Sequence, residues 1–177
     1  MKNVILRYVF YVMIFLIFMI LFLPKMNLYY LGLDKLKTNK IILVSHDIED
    51  KLLSFNMNNV MVNYENKNTV KLNRISLCTY IYISKLEITD ITFNDKIKDY
   101  IPKNIKKLII TYNLMTNPLK IDIESTFTKG KFFGHVDLLE RKVVINLDVS
   151  HSFIKDYKDL TKKFTKKGEY YSYEYKY

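Results

Sequence analysis

The sequence predicts an α+β protein that is mostly β: an N-terminal transmembrane helix, then a largely antiparallel curved sheet with one late amphipathic helix and a C-terminal strand. Three observations lead to this prediction. Val4–Leu23 is almost wholly apolar, the segments between residues 40 and 149 alternate apolar and polar side chains, and His151–Lys167 repeats its apolar residues with a helical period. An alternation of two is typical of strands, whereas a period of about 3.6 is typical of helices.

The N-terminal stretch Val4–Leu23 is long enough to cross a bilayer, because about 20 helical residues rise about 30 Å. Only Arg7 interrupts its apolar residues. A cleaved secretory signal is the weaker interpretation, since Pro24 and Lys25 follow instead of a small-residue cleavage site. The side chains expected to contact lipid are Val4, Leu6, Phe10, Phe15, Phe18, Leu21 and Leu23.

This stretch divides the chain into four predicted parts. They are residues 1–3 as a cytoplasmic tail, 4–23 as the transmembrane helix, 24–39 as a juxtamembrane connector and 40–177 as a β-rich periplasmic domain. The short tail favours a cytoplasmic N-terminus, although several lysines after the span oppose it. Long domains translocate largely regardless of their charge. The expected topology is therefore a single membrane crossing, with the body outside the cytoplasm.

The composition is basic, with a formal net charge of +10, yet the charge is dispersed and the chain contains no Ala. An AT-rich genome encodes such a composition, so the lysine content alone does not predict nucleic-acid binding. At the densest patch, Lys155–Lys167, a solvated basic face and contact with headgroups or phosphates both remain open. The single cysteine, Cys78, cannot form an internal disulfide and is expected to be a buried thiol.

In the first half of the sheet, the predicted strands are Lys40–Ser45, Asn58–Glu65, Val70–Ser84 and Leu86–Phe93. His46–Asp50 is predicted as a polar turn between the first two. Val70–Ser84 is the predicted central strand, because it is rich in β-branched and aromatic residues. Ile88 and Ile91 fall out of phase, which indicates a β-bulge between them.

In the second half, the predicted strands are Lys107–Tyr112, Leu119–Glu124, Thr128–Leu138 and Val143–Val149. The predicted helix His151–Lys167 follows, with Ser150 or Ser152 as its cap and Gly168 as its end. Residues 168–177 then place alternate tyrosines on one face, which predicts a final strand against the sheet.

The chain shows no motif of established chemistry. The glycines form no nucleotide-binding pattern, the histidines lack zinc-ligand spacing, and the acidic run at Asp47, Glu49 and Asp50 lacks the spacing of a calcium loop. The sequence therefore predicts no catalytic residue, no cofactor and no metal site.

A candidate interaction surface lies near the C-terminus. It consists of Tyr171, Tyr173, Tyr175, Tyr177, Lys162, Lys163, Lys166 and Lys167. Aromatic and basic residues together can stack bases and contact phosphates of a single strand. Tyrosines in a strand also pack against their cross-strand neighbours, and this interpretation is favoured. Nucleic acid is accordingly not the expected partner.

The late part of the chain runs Gly130-x-x-x-Gly134-x-Val136-x-Leu138, then Ser150, the amphipathic helix and Gly168-Glu-Tyr-Tyr. Together with the N-terminal stretch, this order resembles a short relative of the type II secretion system protein N group, which is in turn similar to the AsmA-like proteins. The resemblance covers mainly residues 118–177. It implies an inner-membrane-anchored periplasmic protein with a β-structure, and it carries over no functional residue.

The leading hypothesis is a noncatalytic interaction or assembly component of an envelope-spanning apparatus for type II secretion, pili or DNA uptake. Its expected partners are the membrane and envelope or secretion-system proteins. One alternative is a lipid-binding or lipid-transfer module of AsmA-like kind. Another is a hydrolase using Asp148, Ser150 and His151, but residues so close in sequence cannot all converge into a triad.

Overall fold

The computed structural model describes residues 10–15, 25–45, 47–65, 67–80, 82–94, 102 and 104–177. In these ranges eleven strands form one sheet, and every recorded pairing is antiparallel. The strands are β1 Ile41–Val44, β2 Asp47–Asp50, β3 Ser54–Tyr64, β4 Lys67–Thr79, β5 Ile83–Phe93, β6 Asn104–Asn113, β7 Lys120–Phe127, β8 Gly130–Asp137, β9 Lys142–Val149, β10 Thr165–Lys167 and β11 Tyr170–Lys176. The helices are α1 Lys25–Thr38, α2 His151–Asp156 and α3 Lys158–Thr161.

The strand order is β1-β3-β4-β5-β6-β7-β8-β9-β11-β10, with β2 also paired to β3. From β3 to β9 each strand pairs with the next one in sequence, as short turns between antiparallel strands require. The predicted mostly β, antiparallel body is therefore confirmed.

The predicted transmembrane helix is not found. No helix in the described ranges is long and apolar enough to cross a membrane. Of Val4–Leu23 the structure describes residues 10–15, which are helical, with Phe10 and Phe15 exposed. The other predicted anchor residues lie outside the described ranges: Val4, Leu6, Phe18, Leu21 and Leu23. This part of the predicted fold class is therefore wrong. Helix α1, with 14 residues, rises only about 21 Å, which is short of a hydrocarbon core of about 30 Å.

The segment predicted as a connector contains helix α1. Tyr29, Leu33 and Leu36 are its half-buried residues, and their spacing of four and three places them on one face. The ring of Tyr29 lies 5.3 Å from the ring of Phe55, which attaches α1 to the sheet. The helix ends at Thr38, and Lys40, two residues later, takes a positive φ of 62°.

Two predictions in the first half are wrong, a turn at His46–Asp50 and an unbroken strand at Val70–Ser84. The described part of His46–Asp50 is strand β2, which pairs with β3 at the sheet edge. Its polar side chains face solvent, and Ile48 packs against the core. The predicted strand Val70–Ser84 is instead divided by a turn, which the N–H of Tyr80 closes by donating to the carbonyl of Ile83 at 2.8 Å. Neither segment contains Gly or Pro to mark its true conformation.

The change of phase predicted in β5 is present, and the neighbouring strands share it. Asn59, Asn73, Asp90 and Lys106 occupy one row, which we call the crease, where the Cα pairing from β3 to β6 is interrupted. Asn59 and Asp90 have positive φ angles of 51° and 52°. The register of β5 with β4 and with β6 is the same on both sides of Asp90, so β5 contains no bulge at this position. It lies at Lys106, where β6 shifts by one residue against β7.

Much of the core follows one row beside the crease, and Phe55 and Met57 on the other side of the crease belong to the same buried cluster. Val60, Leu72, Ile91, Ile105 and Phe127 are successive cross-strand partners, and all five are buried. Helix α2 covers the row with Phe153, whose ring lies 5.1 Å from that of Phe127 and 4.7 Å from that of Tyr157. Each buried side chain of this size contributes about 1.5–3 kcal/mol.

The predicted helix His151–Lys167 is only partly correct. It is two short helices, α2 and α3, separated at Tyr157 with ψ at 48°. Its last residues form strand β10, which pairs with β11 around Gly168, at φ 64°. Gly168 therefore makes a hairpin turn and does not end a helix. Ser150 is the N-cap, although its side chain makes no capping bond.

Candidate functional site: an apolar rim at one end of the sheet

Successive turns of an antiparallel meander alternate between the two ends of its sheet. The β2–β3, β4–β5, β6–β7 and β8–β9 connections, together with the end of β11, therefore share one end. The β3–β4, β7–β8 and β10–β11 turns share the opposite end.

Large apolar or aromatic side chains are exposed at every one of the tips that share the first end. We call this set the apolar rim: Leu52, Leu53, Tyr80, Tyr82, Ile83, Leu114, Met115, Leu119, Leu138, Leu139, Tyr175 and Tyr177. Met115 and Leu139 are the most exposed, at 72% and 74%. Turn residues are usually polar, so exposed apolar side chains on every tip at this end are an unusual feature.

The opposite end differs in character. Its turn residues are polar or glycine, as at Thr128, Lys129, Gly168 and Glu169. The exposed rings of Tyr64 and Tyr170 flank those turns but do not form their tips. Among the turns that the structure describes, the apolar tips therefore lie at one end of the sheet; most of the β5–β6 connection, at the other end, is outside the described ranges.

The β6–β7 tip satisfies its main-chain donors internally. The side-chain oxygen of Asn113 accepts the N–H groups of Met115 and Thr116 at 3.0 and 3.2 Å. The N–H of Leu114 donates to the carbonyl of Tyr82 at 2.8 Å, which joins this tip to its neighbour.

The β8–β9 tip is built in the same way. Asp137 Oδ1 accepts the N–H groups of Leu139 and Glu140 at 3.0 and 2.9 Å, and the N–H of Leu138 donates to the carbonyl of Leu119 at 2.8 Å. The Glu140 and Leu139 N–H groups, with the nearby Lys120 ammonium, hold the pKa of Asp137 below its usual value despite its burial. The carboxylate is therefore charged at neutral pH and holds the tip.

Several charges next to the apolar rim form ion pairs. Their shortest N–O distances are 2.9 Å for Lys51–Glu49, 3.6 Å for Lys120–Asp137 and 2.9 Å for Lys142–Glu174. The lysine-rich segment, in contrast, begins with α2, beyond the opposite end of β9. The rim itself therefore combines apolar side chains with locally balanced charge.

The candidate interaction surface predicted from the sequence is divided by the fold. Tyr175 and Tyr177 belong to the apolar rim, whereas Tyr171 and Tyr173 are half-buried along β11. The ring of Tyr173 lies 5.4 Å from that of Phe164. The lysines of the set precede and form β10: Lys162, Lys163, Lys166 and Lys167. The tyrosines are thus divided between the rim and β11, where Lys166 is the cross-strand partner of Tyr171.

The residues considered for chemistry have other partners. Asp148 pairs with Lys131 at 3.3 Å, and Ser150 Oγ lies 2.9 Å from Ser152 Oγ. His151 is exposed at the start of α2. Among the described residues, no three His, Cys, Asp or Glu side chains could share a metal ion.

Two hollows of about 600 and 580 Å³ lie on the face of the sheet opposite the core. Asn56, Arg74, Ser76 and Glu87 contribute to the first, as does the half-buried thiol of Cys78. Ser76 Oγ donates to Asn56 Oδ1 at 2.6 Å. The polar and charged lining of the first hollow does not favour an acyl chain as its occupant, whereas apolar and polar side chains both line the second.

Sequence reasoning missed most of the apolar rim. The available signal was the repeated placement of two adjacent apolar residues in or beside a turn, as at Leu52-Leu53, Leu114-Met115 and Leu138-Leu139. Turn residues are usually polar, so apolar pairs there are informative. Their convergence follows from the meander topology, which the pairs themselves do not reveal.

No family model, curated protein or solved structure matches this chain. The resemblance to the type II secretion system protein N group therefore stays a prediction.

Proposed function

We propose that this chain is a noncatalytic interaction module that docks through the apolar rim. The observation that supports this function is the collection of exposed apolar side chains on every tip at one end of the sheet. An interaction partner would remove them from water, at about 25 cal/mol for each Å² of apolar surface. The envelope-spanning apparatus suggested by the sequence supplies candidate partners.

Photocrosslinking in cells tests this function. A benzophenone amino acid at Met115 is expected to form a specific adduct, with protein or lipid, that the same group at Glu169 does not form. Both positions are exposed turn residues, and they lie at opposite ends of the sheet. Leu139→Asp should weaken the Met115 adduct, since the two residues belong to the same surface. Equal adducts from both positions, or none from either, would contradict the proposal.

A further inference from the structure

We propose that the partner of the apolar rim is the interface of a neutral lipid bilayer, into which the loop tips insert without requiring anionic lipid. This inference rests on the proposed docking function of the rim. The proposed contact is peripheral and is made by the loop tips of the rim.

The geometry of the tips favours a fluid surface. Adjacent strands lie about 4.8 Å apart, so tips that recur at every second strand are about 10 Å apart along the end of the sheet. The apolar side chains therefore form a series of separate points, such as Tyr82, Met115 and Leu139. Lipids can rearrange around separate points, whereas a folded protein partner would need a matching series of pockets.

The hydrogen bonding of the tips suits a dry environment. A main-chain N–H that loses water without gaining another partner costs several kcal/mol in a lipid phase. At the two most exposed tips, Asn113 and Asp137 accept N–H groups from within the turn. These donors keep their partners when water is removed.

The charge and the aromatic residues indicate the kind of lipid. The ion pairs Lys51–Glu49, Lys120–Asp137 and Lys142–Glu174 leave little net charge to attract anionic headgroups. Tyrosines at the rim, such as Tyr80 and Tyr177, have an apolar ring and a polar hydroxyl, which suits the boundary between headgroups and acyl chains. A neutral interface therefore fits better than an anionic one.

Tryptophan fluorescence provides a local test, because the natural chain contains no Trp. The full chain carries Met115→Trp at the apolar rim or, as the matched control, Glu169→Trp at the opposite end. Each variant is mixed with phosphatidylcholine vesicles, with and without brominated lipid. We expect a shift to shorter wavelength and quenching for Met115→Trp alone. Both effects should persist at about 0.5 M salt, where the Debye length is only about 4 Å.

Leu139→Asp in the Met115→Trp chain should lower partitioning into vesicles about tenfold, because one large apolar side chain no longer enters the interface. The reporter separates rim contact from any binding by other parts of the chain. Thr128→Asp, at an exposed turn of the opposite end, is the matched charge control and should leave partitioning unchanged.

Four results would overturn the inference: no change at Met115→Trp, equal changes at both reporters, a change that needs anionic lipid and disappears in salt, or a change that appears without vesicles as protein concentration rises. The last would indicate contact between two copies of the chain. If the vesicle experiment fails while the Met115 crosslinker captures a protein, the lipid inference is wrong and the docking function stands. If the vesicle experiment and the crosslinking experiment both fail, the lipid inference and the docking function are both wrong.

Discussion

Asn73 Nδ2 donates a hydrogen bond to Asp90 Oδ2 at 3.1 Å, between two residues that face each other across β4 and β5 without being paired in the ladder. Their neighbours are paired on both sides, Leu72 with Ile91 and Arg74 with Thr89. The side-chain bond thus joins the strands at the crease, where Asp90 takes a left-handed conformation. The crease allows the apolar side chains on both sides of it to face the same core.

Substitution of Asn59 tests whether the crease requires a left-handed backbone conformation at this position. Its φ of 51° is tolerated by Gly and Asn but costs other residues about 1–2 kcal/mol, and β-branched residues more. We expect Asn59→Val to lower the free energy of unfolding by at least that amount and Asn59→Gly to preserve it. Urea denaturation of the two variants measures the difference. Equal stabilities would show that the left-handed conformation is not required.

Substitution of Gly134 tests whether the close approach of β8 to β9 requires a residue without a side chain. A Cβ at this position would lie 2.1 Å from the main-chain oxygen of Val144, which cannot move without disturbing the ladder. Gly134→Ala should therefore lower the free energy of unfolding by about 1–3 kcal/mol. Gly32→Ala is the control, because it meets nothing within 4 Å and lies in α1, where Ala should add up to about 1 kcal/mol. Thermal melts that changed in the same direction would contradict this account.

Substitution of Phe153 tests how much the packing of helix α2 on the sheet stabilises the protein. It is 1% exposed and contacts the rings of Phe127 and Tyr157. Phe153→Ala should lower the free energy of unfolding by about 3–5 kcal/mol, because the cavity cannot close completely. Phe133→Ala, on the other face and only half-buried, should cost less. An equal cost for both, measured by urea denaturation, would argue against a core on one face.

The ion pairs of Glu87 with two lysines predict that the stability of the protein changes with pH. Lys107, at 2.7 Å, and Lys85, at 3.2 Å, hold its pKa below the usual 4.5. A carboxylate with a lowered pKa in the folded state stabilises the protein above the pKa of the unfolded state, and this contribution is lost as pH falls through the folded pKa. At pH 7 Glu87→Gln should therefore lower the free energy of unfolding by up to about 1 kcal/mol. The difference should shrink as pH falls below 4.5.

Glu169→Gln is the matched control for that experiment, since Glu169 is an exposed turn residue. It should change the free energy of unfolding by less than about 0.5 kcal/mol at both ends of the pH range. A Glu87→Gln difference that stayed constant, or grew, on acidification would contradict the assigned role of the two lysines.

The apolar rim predicts a separation of stability from binding. Met115 and Leu139 are 72% and 74% exposed, so Met115→Asp and Leu139→Asp should each change the free energy of unfolding by less than about 0.5 kcal/mol. The same substitutions should weaken docking. Circular dichroism melts, compared with crosslinking of the same variants, measure both properties. A large loss of stability would mean that these residues support the fold and are not free for a partner.

Local patterns predicted much of the sheet. The alternation of Leu119, Ile121 and Ile123 with charged neighbours predicted β7, and the late tyrosines predicted β11 against the sheet. Predictions failed where the local sequence favours another conformation. Asp47–Asp50 is a strand because β3 lies beside it, and the lysines of β10 are extended because β11 pairs with them. Such pairing depends on distant residues and overrides local preference.

The sequence alone determined the antiparallel β-rich body, since a period of two places apolar side chains on one face of a strand wherever it pairs. It did not determine the length of the helices, and the predicted transmembrane helix is absent from the described ranges. Only the tertiary structure decided which turns meet at one end of the sheet. The apolar rim exists because strand order places residues as far apart in sequence as Leu52 and Tyr177 at the same end of the sheet, a long-range property that no local pattern encodes.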